Sequence, residues 1–184
     1  MTAEEMATIR KLYDRVLEAI AVALIVAVTA IVTLGFAYRW VGESLVWYDE
    51  VAAIALCWLT YYAGALAALR GAHIGFAGFV NALPSSWRVA ATLFSSAVTV
   101  FFFVLLAVMG VKVVQILGGD TLVSIPSVPL RITQSVIPIA SALFVIAELI
   151  RLPGLLAEAR RGPLIDRELQ DVLEHARAGK EIDP

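Results

Sequence analysis

Long uncharged runs alternate with short polar boundaries along this chain, and the runs are too long to be read as core strands or ordinary soluble helices. Residues 19–38, 51–69 and 89–111 give 20, 19 and 23 positions without a charge. At about 1.5 Å per residue, each can cross a hydrocarbon layer of roughly 30 Å. A fourth run, 132–147, has 16 uncharged residues and includes Gln134 and Pro138. Carried on to Ile150 it reaches spanning length, provided that Glu148 lies near a headgroup region where its carboxylate stays hydrated. Pro138 is expected to kink this span or loosen its first turns. The pattern therefore predicts an all-α integral membrane protein with four transmembrane helices. The first run follows a polar or mixed N-terminal stretch and exceeds a signal-peptide core, so it reads as a retained helix that also directs insertion.

The cations set an expected orientation. With both termini inside, Arg10, Lys11, Arg15, Arg70, Arg88, Arg151, Arg160 and Arg161 fall on the cytoplasmic side, against Arg39, Lys112 and Arg131 outside. That asymmetry favours N-in, C-in and an even number of spans. Tyr38, Trp40, Trp47, Tyr48 and Trp87 stand near span ends, where an aromatic ring can face lipid and headgroups together. Trp58, Tyr61 and Tyr62 lie within the second span, and their polar atoms need partners inside a bundle.

Three polar boundaries complete the organisation. Between spans two and three, "RGAHIGFAGF" begins a glycine-containing segment that runs to Arg88 and suits the membrane interface. Residues 118–131, "GGDTLVSIPSVPLR", carry too many glycines and prolines for a continuous helix and are expected to lie along the outer interface. Beyond Leu152 the chain turns polar, with an approximate helical stripe through Leu164, Ile165, Leu169, Val172 and Leu173. This divides the chain into a membrane domain, 1–152, and a cytoplasmic tail containing a helix, 153–184.

Composition narrows the chemistry. The chain is 60% hydrophobic and 16% charged, with a formal net charge of -2, which gives no electrostatic basis for binding nucleic acid. Cys57 is the single cysteine, so neither an intrachain disulfide nor a cysteine-based metal site can form. The sequence lacks a GxxxxGK phosphate loop, an HExxH pair and a GxSxG elbow, and the three strong spans carry no mid-membrane charge. The expectation is a non-enzymatic subunit without cofactor, metal or conduction path of its own.

The candidate functional positions are consequently boundary residues. In "WYDEVA", Asp49 and Glu50 suit a helix start, a contact across helices or subunits, or a cation. Arg70 and His73, one turn apart, suit headgroups, a structural hydrogen bond or a subunit contact; proton handling is a further reading of His73. Small residues four apart in span two, Ala63 with Ala67 and Gly64 with Ala68, let another helix approach closely.

The order of these features resembles the small membrane subunit, of DctQ type, of the tripartite ATP-independent periplasmic (TRAP) transporters. The resemblance covers roughly residues 12–152: "WYDEVA" before a small-residue span, "YYAGALAALRGAHIG" through its end, "NALPSSWR" before the third span, and an "IP" turn before the fourth. The family's paired acids fall on Asp49 and Glu50, its glycine within the span on Gly64, and its arginine, glycine and histidine on Arg70, Gly71 and His73. Departures are Leu69 in place of a second basic residue, Ala77 in place of an aspartate, and "IPSVP" without the usual tryptophan. The resemblance implies an accessory subunit of a secondary, sodium-coupled importer in the bacterial inner membrane. Its implied partners are the large membrane subunit, a periplasmic substrate-binding protein and membrane lipids, with an organic acid as cargo. A four-helix assembly or regulatory subunit of an unrelated membrane complex is the alternative.

Overall fold

The first three uncharged runs become continuous helices that reach past their runs into the polar boundaries, and the fourth becomes two helices broken at Ser135. The computed structural model describes residues 3–71 and 83–161. Its elements are α1 (Ala3–Trp40), α2 (Tyr48–Arg70), α3 (Ser85–Ile116), α4 (Leu130–Gln134) and α5 (Val136–Arg161). Among these residues four segments are long and apolar enough to cross a membrane: Ala7–Trp40, Tyr48–Arg70, Ser86–Ile116 and Leu130–Arg160. The chain is thus an all-α, multi-pass membrane protein. His73 with most of the expected interfacial segment, and the expected tail helix, lie outside the described residues.

Local chemistry explains the ends. Gly42, at φ 86°, closes α1: the Glu43 N–H donates to the Tyr38 carbonyl at 3.0 Å, a left-handed cap that a side chain would strain. Gly71, at φ 74°, closes α2 in the same way, its N–H turning back to Ala67 and Ala68. Pro84 precedes α3 in extended conformation. Pro138 has no N–H to offer the Gln134 carbonyl, and the fourth span breaks just before it, at Ser135, into α4 and α5. The expected kink is a discontinuity. Pro153, by contrast, is carried inside α5, which passes the 152–153 polarity boundary without interruption.

The helices pack in a row. α1 lies on α2, α2 on α5, and α5 on α3, which leaves α1 and α3 on the flanks. Small residues make the inner contacts close: Ala65 and Ala68 of α2 and Ala147 of α5 are buried beside Leu17, Leu69 and Phe144. The Phe144 ring stacks on Phe103 of α3 with centroids 3.6 Å apart and planes 9° from parallel. The Tyr13 hydroxyl donates to the Leu143 carbonyl at 2.6 Å, joining α1 to α5. The "VFFFVLLAV" stretch of α3 turns Phe101 and Phe102 outward, as its bulk suggests for a lipid-facing surface.

One expectation needs correction. Glu148 is not hydrated at a headgroup: it is 8% exposed, between α5 and α3, and accepts a hydrogen bond from the Ser96 hydroxyl at 2.8 Å. A partner inside the bundle replaces the water. In span two the small residues buried against neighbouring helices are Ala65 and Ala68, while a Cβ on Gly64 would meet no described atom within 4 Å.

Candidate functional site

The antiparallel helices gather polar residues at two ends of the row. One end takes the starts of α1 and α3 and the ends of α2 and α5; it carries most of the described cations and is called the basic end. The other holds the 117–129 connection and is called the hairpin end.

At the hairpin end, residues 120–130 double back. Leu122 N–H donates to Val128 O at 3.0 Å, Leu130 N–H to Asp120 O at 2.8 Å, and Thr121 bridges to Pro129. The reversal is Ile125–Val128, closed by Val128 N–H on Ile125 O at 3.0 Å, with Pro126 at the second position, where its fixed φ suits a turn. Glu50 holds this hairpin to α2. Its carboxylate accepts from the Val123 N–H at 3.2 Å, the Ser124 N–H at 2.8 Å and the Ser124 hydroxyl. Trp58 adds a second tie, its indole N–H donating to the Thr133 carbonyl at 2.8 Å. Asp49 behaves differently. The residue preceding α2 is Trp47, which makes no capping hydrogen bond through its side chain, and Asp49 is exposed in the first turn. The capping reading of Asp49 is therefore replaced by a simple charge at the positive end of a helix.

Two glycines let this end close. A Cβ on Gly35 would overlap the Tyr48 ring, and one on Gly110 would lie 2.9 Å from Cδ of Pro138. The proline that breaks the fourth span thus sits where α3 carries no side chain.

At the basic end, Arg70 joins α2 to α1. Its Nε and Nη2 meet the two Asp14 carboxylate oxygens at 2.8 Å each, and Nη2 also lies 2.9 Å from Oε2 of Glu18. A guanidinium fork matches a carboxylate in this paired manner, which fixes orientation as well as charge. Gly71 follows, and a Cβ there would stand 2.9 Å from the Arg151 guanidinium. The positive φ of Gly71 requires glycine there, while the Arg151 guanidinium, the far end of a flexible side chain, only crowds the position.

The sequence-derived positions divide accordingly. Glu50, Arg70 and Gly71 make structural contacts within the chain; Asp49 and Gly64 leave theirs open; His73 lies outside the described residues. Asp14, Glu18, Ser96, Ser124 and Arg151 were missed. Asp14 and Glu18 had a signal, two acids four apart among N-terminal cations, that a count of cations alone passes over. Ser124 had none, because nothing in "SIPSVP" indicates which carboxylate its amide will meet.

The fold is thus a four-span helical membrane bundle whose distinctive polar residues tie helices and a hairpin together within the chain. A family model described as "Tripartite ATP-independent periplasmic transporters, DctQ component" matches residues 28–158. The chain belongs to that family. No curated protein matches it.

Proposed function

We propose that the chain is the small membrane subunit of a secondary importer in a bacterial inner membrane, lying N-in and C-in, and that it braces a large elevator-type permease subunit. Residues 1–152 form the bracing domain and 153–184 a cytoplasmic tail. A periplasmic binding protein delivers an organic acid, and sodium drives its uptake through the large subunit. The observation that carries this reading is that the family match reaches into all four spans. The row of helices supports it physically. Such a row presents broad apolar flanks, with Phe94 72% and Phe101 68% exposed on α3, which widen an anchor in the membrane without binding cargo. The described cations also support the orientation, since Arg10, Lys11, Arg15, Arg70, Arg88, Arg151 and Arg160 share one end of the row.

In this reading Asp49 and Gly64, open within the chain, face the large subunit, and Glu50, Arg70, Gly71 and His73 hold the boundaries that present them. Affinity purification from native membranes in mild detergent tests the assignment. One large multispan permease is expected in near-equal amount; its consistent absence across lipid-preserving conditions would overturn the transporter role. Uptake at matched membrane levels then tests the boundary, with Glu50→Gln expected to reduce it more than Glu181→Gln.

A further inference from the structure

Between the start of α1, the end of α2 and the later turns of α5 lies a cleft of about 690 Å3. Its size falls within the roughly 300–1,000 Å3 of small-molecule sites. Arg10, Lys11, Arg15 and Arg70 line it with Asp14, above an apolar wall that includes Leu69 and Ile150. Asp14 and Glu18 both turn to Arg70. Even counting Glu18, four cations stand against two carboxylates, and Arg10, Lys11 and Arg15 are exposed.

The face of α1 that carries two of these cations continues into the apolar run. Lys11, Arg15, Val22 and Val26 recur at intervals of four, seven and four, so they share one stripe of the helix. Val22 is 53% and Val26 62% exposed. A positive cleft at the membrane boundary, opening onto a bare hydrocarbon stripe, matches a molecule with an anionic head and apolar chains. Basic pockets between transmembrane helices bind anionic phospholipid headgroups by this combination.

The geometry points to a site for one anionic phospholipid, its phosphate at Arg10, Lys11 and Arg15 and a chain along Val22 and Val26. A free phosphate would satisfy the cations but leave the apolar stripe unused. This site is independent of the transporter reading, since it needs only a membrane and the basic end of the bundle.

Native mass spectrometry of the full chain, titrated with dioleoyl phosphatidylglycerol, dioleoyl phosphatidylcholine or inorganic phosphate, tests it. One phosphatidylglycerol per chain is expected to persist where phosphatidylcholine is stripped. Each cation near a headgroup changes affinity about fivefold, so Lys11→Gln with Arg15→Gln should weaken phosphatidylglycerol about 30-fold. The control pair Arg39→Gln with Arg131→Gln, at the opposite end, should leave binding unchanged, and circular dichroism should show equal helix content in all variants. Equal retention of both lipids, or loss of binding in the control pair alone, would overturn the site. Displacement by inorganic phosphate at comparable concentration would reassign the cleft to a free anion, and no retained lipid in the full chain would remove it.

Discussion

The two ends of the bundle solve one problem, fastening helices at a membrane boundary, by different physical means. At the hairpin end the fit is steric and uses neutral donors: Gly35 admits the Tyr48 ring, Gly110 admits Pro138, and the Glu50 carboxylate gathers amides of a loop. At the basic end the fit is ionic, with one guanidinium shared by Asp14 and Glu18. Interlocking shapes do not respond to salt, whereas partly exposed ion pairs are screened by it. The ion pairs of the basic end should therefore weaken as salt rises, and the steric contacts of the hairpin end should not.

The strongest way to break that contrast is to spoil the steric end. Gly110→Val should destabilise the bundle by about 1–3 kcal/mol, because the added Cβ meets both the ring and the backbone nitrogen of Pro138 and α5 must shift. Thermal unfolding in detergent followed by size-exclusion recovery would measure it, and the loss should be the same at low and high salt. An unchanged midpoint would mean that α3 and α5 do not depend on this approach.

Gly71→Ala attacks the basic end at its backbone and should cost about 1–2 kcal/mol, the strain of placing an L-residue at a left-handed φ. The Arg151 guanidinium, being the far end of a flexible side chain, can move aside cheaply. The same unfolding assay separates the two contributions. Gly71→Ala and the double variant with Arg151→Ala should have nearly equal midpoints after correction for Arg151→Ala alone. A large rescue by Arg151→Ala would show that the crowding, and not the φ, sets the requirement.

Arg70→Gln comes next. Its side chain is 43% exposed and that of Asp14 30%, so the pair is worth less than about 1 kcal/mol despite its paired geometry. What distinguishes it is salt: the difference between wild type and variant should shrink as ionic strength rises, whereas the Gly110→Val difference should not. Equal salt response at both ends would remove the distinction between them.

How much of this could be read from the sequence follows from the range of each interaction. The spans were legible because twenty uncharged residues in a row have one physical solution in a bilayer, and the break near Pro138 because a missing N–H is a local fact. The positive charges at one end were legible too. Glu148 was misplaced because its partner, Ser96, is 52 residues away and only the packing of α5 on α3 brings them together. Gly64 stands out on a four-residue spacing, which identifies a small-residue face without saying whether a helix of this chain or of a partner meets it. Asp49 and Glu50 show the limit most clearly: adjacent acids look equivalent in sequence, yet a helix turns successive side chains by 100° and sends one to the hairpin and the other outward.

That pair supplies the finest test of the comparison. Glu50→Gln keeps one acceptor oxygen but removes the charge that draws the Val123 and Ser124 amides together. Helix packing elsewhere is untouched, so the global unfolding midpoint should hardly move. The hairpin should instead loosen locally, with faster hydrogen exchange at Val123 and Ser124 and faster proteolysis within 121–129. Asp49→Asn, one position earlier and exposed, should change neither. Protection of the hairpin that survives Glu50→Gln would assign its order to Pro126, Pro129 and the Thr121 bridge alone, and the hairpin end would then be fastened by backbone and shape without any contribution from charge.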